Sequence, residues 1–317
     1  MTVQQLDENF IVNTYNRFPV VLQSGHGSLV TDENGKEYID LATGIAVNTF
    51  GVADAEWQQA VAQQAATLQH TSNLYYSRPC AELARLLVNK TGMAKVFFSN
   101  SGAEANECAI KAARKYAALT KGKDYYHIIT LKNSFHGRTV TTLAATGQAV
   151  FHNDFTPLTE GFLYAEPNNL GAVSRLLNRY RCAAVMLEVV QGEGGVQPLD
   201  PDYLTALAQL LKQKDVLLIC DEVQIGNGRS GQLYGYMNYR LQPDIFTTAK
   251  GLAGGLPLGA TVFSKKTAGV LTPGTHGSTF GGNPVCCAGA LSILSRLNEQ
   301  TLQGVRKRSE FIVKELT

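Results

Sequence analysis

Short apolar segments alternate with helix-like segments between residues 95 and 263. This alternation predicts a doubly wound α/β domain with a mainly parallel sheet. The predicted strands are Val96–Phe98, His127–Thr130, Ala183–Leu187, Val216–Cys220, Ile245–Thr248 and Ala260–Phe263. The predicted helices of this region are Ala103–Ala118 and Asp202–Lys212, because alanines and basic residues dominate the first and leucines line one face of the second.

The two ends of the chain follow a different pattern. A hairpin is predicted to turn at residues 32–35, and helices are predicted around 56–68, 81–90 and 284–298, with a further helix that continues into the last residue. We therefore expect three parts. Residues 1–70 would start a small α+β domain, residues 71–290 would form the large domain, and residues 291–317 would start a C-terminal domain that looks truncated.

Composition and charge narrow the classes of partner. The chain has 317 residues, of which 44% are hydrophobic and 17% charged, so it can bury a sizeable core. Its net charge of +2 provides no basic field for nucleic acid or an anionic membrane. The first residues do not resemble a secretion signal, and no apolar run approaches the ~20 residues of a membrane span. We expect a cytoplasmic protein that binds small molecules or a second copy of itself.

The cysteines do not indicate a metal site. Six cysteines occur, none in a C-x-x-C pair and none beside histidines at ligand spacing. The adjacent Cys286 and Cys287 could indicate redox chemistry, but their apolar surroundings favour buried, reduced thiols. The adjacent acids Asp221 and Glu222 lack further ligands at metal spacing, so no metal is predicted.

The most informative segment is LLICDEVQIGNGRSG, residues 217–231, in which an apolar strand ends in two carboxylates. Ligands of open α/β sheets bind beyond the carboxyl ends of the strands, so Asp221 is well placed to face one. Acids that end a strand are common for structural reasons too.

The segment DIFTTAKGLAGG follows, where a second strand leads into Lys250. Burial of the Lys250 side chain would make its amine nucleophilic. A lysine at a strand end is usually only solvated, but its occurrence together with the Asp221 motif favours a catalytic role.

An anion site is predicted in FFSNSGAEANECAIKAARKYA, where a strand, small residues and a helix follow one another. Backbone N–H groups of Gly102 and Ala103 at the helix start could bind a phosphate. Ser99–Ser101 could equally serve only to cap the helix, and the two interpretations are compatible. If the ligand is pyridoxal 5′-phosphate (PLP), Asp221 would keep its ring nitrogen protonated and Lys250 would form a Schiff base with it.

Six motifs together resemble one known family. NSGAEAN, SFHGRT, EVVQGEGG, DEVQIGNGR, TTAKGLAGG and GTHGSTFGGNP occur in the order and spacing typical of fold-type I, class III aminotransferases, over almost the whole chain from Tyr15. GTHGSTFGGNP and HTSNLYY are most similar to the acetylornithine branch. The resemblance implies a PLP-binding large domain, with Lys250 and Asp221 as the catalytic residues.

The resemblance also implies roles for other positions. The implied cofactor-binding residues are Gly102, Ala103, Phe135, Asp221, Glu222, Val223, Gln224, Lys250 and Thr279. Phe135 would stack on one face of the ring and Val223 would pack on the other, while Gln224 would bind the ring hydroxyl. Thr279 would reach the phosphate in the neighbouring subunit, which makes the expected protein a homodimer with shared active sites.

The implied substrate-binding residues are Tyr15, Arg138, Glu193 and Ser278. The planar fork of Arg138 suits an α-carboxylate. The implied reaction is transamination between N-acetylornithine and 2-oxoglutarate, in arginine biosynthesis. Succinylornithine, ornithine and 4-aminobutyrate remain alternative donors, and a truncated PLP-binding protein with little turnover remains a different kind of alternative. His136 could act as a general base, although the lysine is better suited to that task.

Overall fold

A seven-stranded sheet forms the centre of the computed structural model, which describes residues 1–317. The strands are β1 (Leu22–His26), β2 (Leu29–Asp32), β3 (Glu37–Ile39), β4 (Lys95–Ser99), β5 (His127–Leu131), β6 (Phe162–Ala165), β7 (Cys182–Leu187), β8 (Val190–Gln191), β9 (Gln197–Pro198), β10 (Leu217–Asp221), β11 (Ile245–Thr248) and β12 (Gly259–Phe263). The helices are α1 (Val3–Phe10), α2 (Thr43–Ala46), α3 (Ala55–Thr67), α4 (Arg78–Thr91), α5 (Gly102–Thr120), α6 (Val140–Ala145), α7 (Leu170–Arg179), α8 (Pro201–Lys214), α9 (Pro284–Arg296) and α10 (Glu299–Leu316).

The central sheet has the strand order β4-β12-β11-β10-β7-β5-β6. Only β12 runs against its neighbours, because it pairs antiparallel with both β11 and β4. The remaining pairs are parallel. Helices lie in the connections along the chain from β5 to β10, whereas β10 and β11 are joined through a short 3-10 turn. The predicted α/β class with a mainly parallel sheet is therefore confirmed.

The two faces of the sheet pack against different helices. Side chains alternate along each strand, so Leu217 and Ile219 of β10 point to one face and Leu218 and Cys220 to the other. The first face packs against α5, whose buried residues are mostly alanines that let the helix come close to the sheet. The larger apolar cluster on the second face includes residues of α4, α8 and α9.

All six predicted strands of the central sheet are confirmed, each to within a residue or two of its observed ends. The seventh strand, β6, and helix α7 were not predicted from the sequence. Strand β6 has four residues and lies at the edge of the sheet, where Tyr164 stays partly exposed. A short edge strand lacks the continuous apolar run that marks a buried one, so its pattern was too weak to be recognised.

A separate three-stranded antiparallel sheet, β1 to β3, lies near the start of the chain. The predicted turn at residues 32–35 is confirmed between β2 and β3. The buried carboxylate of Asp32 stabilises this turn by accepting hydrogen bonds from the backbone N–H groups of Asn34 (2.9 Å) and Lys36 (3.0 Å). Gly35 has a φ of +80°, which a residue with a side chain adopts only under strain. The proposed division at residues 70 and 290 stays a prediction.

All six cysteines are free, and five of them are buried. No helix is both long and apolar enough to cross a membrane. No three His, Cys, Asp or Glu side chains lie together in an arrangement that could hold a metal ion.

Candidate active site

A cavity of about 650 Å³ lies beyond the carboxyl ends of the parallel strands. Strands β10 and β11 end side by side, with Asp221 opposite Thr247, so residues that follow the two strands meet at one edge of the sheet. Ten of the residues predicted from the sequence line this cavity: Tyr15, Gly102, Ala103, Phe135, Arg138, Glu193, Asp221, Val223, Gln224 and Lys250.

Asp221 is the last residue of β10 and is almost fully buried. Its Oδ2 atom accepts a hydrogen bond from Asn106 Nδ2 at 2.8 Å and lies 2.8 Å from His136 Nδ1. Its Oδ1 atom accepts a hydrogen bond from the backbone N–H of Val223 at 3.0 Å. These three contacts hold the carboxyl group of Asp221 in one orientation at the floor of the cavity.

Lys250 begins the short 3-10 turn after β11 and has a φ of +44°. A residue with a side chain rarely adopts this conformation, and such strain is often found at functional sites. Burial lowers the pKa of the Lys250 amine, although the nearby carboxylates of Glu193, Asp221 and Glu188 act in the opposite direction. A lowered pKa leaves more of the amine neutral and therefore nucleophilic.

The start of α5 forms the wall that was predicted to bind a phosphate. Ser101 caps the helix, since its Oγ accepts a hydrogen bond from Glu104 N at 3.2 Å. The N–H groups of Gly102 and Ala103 belong to the first turn, where a helix offers no backbone acceptor. A Cβ atom at Gly102 would lie 2.6 Å from Val223 Cγ1, so only glycine leaves this wall and Val223 in their observed positions.

Two aromatic rings and a guanidinium group form another wall. The rings of Phe135 and Phe151 meet edge to face, with centroids 6.0 Å apart. The guanidinium carbon of Arg138 lies 4.1 Å from the centroid of the Phe151 ring and 5.5 Å from that of Phe135. Arg138 takes part in none of the ion pairs of the structure. Its charge is thus available to a carboxylate in the cavity.

Glu193 and Gln224 lie side by side at the cavity, with Gln224 Nε2 donating to Glu193 Oε1 at 3.2 Å. Glu188 also lines the cavity but is buried beneath it. Its carboxylate accepts hydrogen bonds from the backbone N–H groups of Phe135 (2.9 Å) and Gly192 (3.2 Å). Burial raises the pKa of Glu188 to about 7, and the nearby His136 opposes that shift.

Glu222 does not line the cavity, in contrast to the sequence-based prediction of a cofactor contact. Its side chain is fully buried, and its two oxygens accept hydrogen bonds from the backbone N–H groups of Gly235 (2.6 Å) and Tyr236 (2.8 Å). Burial raises the pKa of Glu222 to about 8, against the effect of these two donors. Successive residues leave a strand in opposite directions, so Glu222 cannot face the same way as Asp221. The observed contacts give Glu222 a structural role.

Ser278 and Thr279 lie outside the main cavity, on the wall of a separate pocket of about 340 Å³. Ser278 Oγ accepts hydrogen bonds from Gly281 N at 2.9 Å and from Asn100 Nδ2 at 3.3 Å. Thr279 is exposed to solvent. Within one chain these two residues therefore do not meet Lys250.

Two residues that help to hold Asp221 in place, Asn106 and Thr247, were not predicted from the sequence. Asn106 lies one helical turn after Gly102 in NSGAEAN, so it points back toward the same wall, but an asparagine inside a helix carries no signal of its own. Thr247 Oγ1 donates to Asn106 Oδ1 at 2.7 Å and so fixes the orientation of that amide. His136 was considered only as a base, whereas its Nδ1 atom contacts Asp221.

These residues fit PLP. The cavity offers an aromatic ring in Phe135 and a branched side chain in Val223 for a flat ring, and a buried carboxylate in Asp221 for its nitrogen. The start of α5 offers free N–H groups for a phosphate, where a Cβ atom would fill the available space. Lys250 offers an amine for an aldehyde.

Comparisons with known proteins identify the family. The family "Aminotransferase class-III" matches residues 10–317. The acetylornithine aminotransferase of Haemophilus ducreyi is 49% identical over 314 residues, which is 99% of this chain and 80% of that protein. The succinylornithine transaminase of Salmonella paratyphi A is 45% identical over 320 residues, 100% of this chain and 78% of that protein.

A solved structure supports the same family assignment. The ornithine aminotransferase of Toxoplasma gondii, described with partial occupancy of PLP at its active site, superposes with a TM-score of 0.90 at 35% identity, covering 94% of this chain and 71% of that one. The chain therefore belongs to the class III aminotransferases. It is a transaminase that uses PLP as its cofactor.

Proposed function

We propose that the protein transfers the δ-amino group of N-acetylornithine to 2-oxoglutarate, which gives N-acetylglutamate 5-semialdehyde and glutamate in arginine biosynthesis. The observation that carries this proposal is that Lys250, Asp221 and the unpaired guanidinium of Arg138 line one cavity. Such a site suits an amine that also carries a carboxylate. The choice of the acetylated donor is supported by the 49% identity to an acetylornithine aminotransferase.

PLP would be held by Asp221, Phe135, Val223, Gln224, Lys250 and the start of α5, and would supply an electron sink for the bond broken at the amine-bearing carbon. Lys250 has the two properties that the proton transfer needs. Its position after β11 brings the amine into the cavity, and burial lowers its pKa, which favours the neutral amine that can accept a proton. Asp221 would hold the proton of the ring nitrogen.

Arg138 would bind the α-carboxylate of the donor. Its guanidinium group is already oriented by the rings of Phe135 and Phe151, so little side-chain entropy is lost when a carboxylate binds. A bidentate pair of charge-assisted hydrogen bonds would fix the direction of the substrate. Tyr15 and Glu193, at the same cavity, would contact the substrate as well.

The protein would act as a homodimer in the cytoplasm, with Ser278 and Thr279 serving the site of the partner subunit. The supporting observation is a surface formed by residues 69–76 and 278–283, which Asn73 Nδ2 joins by donating to the backbone oxygens of Ser278 (2.8 Å) and Gly281 (3.0 Å). This surface exposes Leu74, Tyr75, Tyr76 and Phe280. Large exposed apolar side chains in one region are typical of a protein interface.

Succinylornithine is the second candidate donor, since a relative of that name is 45% identical over the full chain. Ornithine and 4-aminobutyrate are further candidates within the family. The test is to measure kcat/KM for all four amines with 2-oxoglutarate as acceptor. N-acetylornithine should have the highest value. A higher value for any of the other three amines would overturn the proposed donor while leaving the transaminase assignment intact.

A further inference from the structure

The backbone of Lys250 is strained, because its φ of +44° lies in the left-handed region. A residue with a Cβ atom is disfavoured there, so a turn without further support would relax to a negative φ. Such a change would rotate the Cα–Cβ bond of Lys250 and redirect its side chain. The observed direction, in which Lys250 lines the cavity, therefore depends on contacts that hold the neighbouring peptide groups.

The first of these contacts comes from Asn227, in the segment after β10. Its Nδ2 atom donates to the backbone oxygen of Ala249 and to Thr248 Oγ1, both at 3.1 Å. A carbonyl oxygen can only accept, so the amide nitrogen of Asn227 must be the atom that faces Ala249. The same carbonyl accepts from Leu252 N at 2.9 Å. Both of its lone pairs are thus used, which fixes the peptide group before Lys250.

Asparagine suits position 227 for a second reason. Asn227 is buried and has a φ of +56°. Asparagine adopts the left-handed region more readily than most residues that have a side chain. One residue therefore supplies both the backbone conformation and a short amide donor that reaches the lysine turn.

The second contact comes from Thr49, in the N-terminal part of the chain. Thr49 Oγ1 donates to the backbone oxygen of Gly251 at 2.8 Å. A Cβ atom at Gly251 would lie 2.7 Å from this hydroxyl, so the close approach requires glycine. Trp57 continues the pattern, since its Nε1 atom donates to the backbone oxygen of Ala253 at 2.9 Å. Thr49 and Asn227 line a separate pocket of about 280 Å³ and not the cavity itself.

We propose that Asn227 and Thr49 are positioning residues for Lys250: by holding the backbone oxygens of Ala249 and Gly251, they keep the strained turn in the conformation that directs the amine into the cavity. This proposal rests on the proposed role of Lys250 as the residue that binds PLP. Because neither side chain lines the cavity, loss of either hydrogen bond changes the reactivity of the amine and not the binding of the substrate.

The first test is Asn227→Gly, which removes the amide while glycine still accepts the left-handed conformation. Asn168→Gly is the matched control. Asn168 also has a positive φ, of +58°, and its Oδ1 atom accepts a hydrogen bond from Asp200 N at 2.9 Å, but it does not line the cavity. A second pair uses Thr49. Thr49→Val removes the hydroxyl group and keeps the branched shape, whereas Thr49→Ser keeps the hydroxyl group.

Two readouts are needed on the complete chain with PLP bound. One is backbone hydrogen exchange of the peptide that contains residues 249–253, measured by mass spectrometry together with the Tm. The other is kcat and KM for N-acetylornithine. We expect Asn227→Gly and Thr49→Val to speed this exchange and to lower kcat by about 2- to 10-fold, the effect of losing one intramolecular hydrogen bond. KM should stay unchanged, and Thr49→Ser and Asn168→Gly should match the wild type.

Wild-type exchange and kcat in both Asn227→Gly and Thr49→Val would overturn the proposal. Equal losses in Thr49→Ser and Thr49→Val would also overturn it, because they indicate a packing role. If Asn227→Gly does not fold, the two Thr49 variants decide the question alone. The exchange readout separates this proposal from the proposed function. Faster exchange around Lys250 supports the hold on the turn, and if PLP is then found on another lysine, the proposed role of Lys250 fails instead.

Discussion

Asn106 Nδ2 lies 2.8 Å from Asp221 Oδ2 and joins the first turns of helix α5 to the end of strand β10. Helix α5 begins with the predicted phosphate-binding residues Gly102 and Ala103. One hydrogen bond therefore fixes the distance between the two parts of the site that would hold opposite ends of the cofactor. A change of charge at Asp221 therefore tests the end of the site that lies opposite the predicted phosphate-binding residues.

Asp221→Asn should leave PLP bound and reduce transamination by several orders of magnitude. The amide keeps the shape of the side chain but has no charge with which to hold the proton of the ring nitrogen. The measurement is kcat with N-acetylornithine, with the absorbance of bound PLP as the control for occupancy. A variant with full occupancy and near-normal turnover would remove Asp221 from the ring nitrogen.

The sequence predicted those parts of the site that lie within a few residues of a strand end. Asp221 ends a buried strand and Lys250 follows one, and strand order in a parallel sheet brings such residues to one edge. Val223 and Gln224 were expected only from the resemblance to the aminotransferase family. Glu222 was predicted together with these neighbours, but its side chain points away from the cavity, because successive residues leave a strand in opposite directions.

The rest of the site depends on contacts between distant segments. Asn106 and Asp221 are 115 positions apart, and His136 and Asp221 are 85 apart. Neither Asn106 nor His136 stands at a strand end or in a periodic pattern that indicates its partner. Strand β6 was missed for a different reason, since its four edge residues are too few and too exposed to show a buried pattern.

Arg138→Lys should weaken binding of the amino-acid donor much more than binding of PLP. Lysine keeps the charge but cannot form the planar two-point contact with a carboxylate. Loss of one hydrogen bond to a charged group costs about 1.5–3 kcal/mol, which corresponds to a rise in KM of roughly 10- to 150-fold. Arg179→Lys, on the exposed side of α7, is the matched control. An unchanged KM for N-acetylornithine would exclude Arg138 from the substrate site.

Gly102→Ala should reduce the affinity for PLP without unfolding the protein. The added Cβ atom would lie 2.6 Å from Val223 Cγ1 and 2.9 Å from Cγ2, so Val223 or the helix start must move. Overpacking of this kind costs about 1–3 kcal/mol, or roughly 5- to 150-fold in affinity. Gly269→Ala, where a Cβ atom meets nothing within 4 Å, should bind PLP normally. Equal affinity in both variants would show that the start of α5 is not in contact with the cofactor.

Glu222→Gln should change stability and its dependence on pH. The pKa of Glu222 is about 8 in the folded protein and lies above the ordinary value of 4.5. Between these values the folded state binds more protons than the unfolded state, so the free energy of unfolding falls as pH rises through this range. Glutamine cannot ionise, so the contribution of Glu222 to this decrease in the free energy of unfolding should disappear in the variant.

The same variant should be less stable at pH 6 by about 1–3 kcal/mol, because the amide NH2 cannot accept from a backbone N–H group, whereas both oxygens of the protonated carboxyl group of Glu222 keep acceptor capacity. Urea unfolding at pH 6 and pH 8.5 measures both effects, with Glu33→Gln at an exposed position as the control. The structural role is contradicted if Glu222→Gln matches the wild type at both pH values.

The central claim is that Lys250 carries PLP in the cavity that Asp221 and Arg138 share. The most direct measurement is reduction of the PLP-bound protein with borohydride, followed by proteolysis and mass spectrometry of the pyridoxyl-labelled peptide. The account predicts a single label on Lys250, and none on the peptide of the Lys250→Ala variant. A label on any other lysine, or a labelled Lys250→Ala protein, would contradict it.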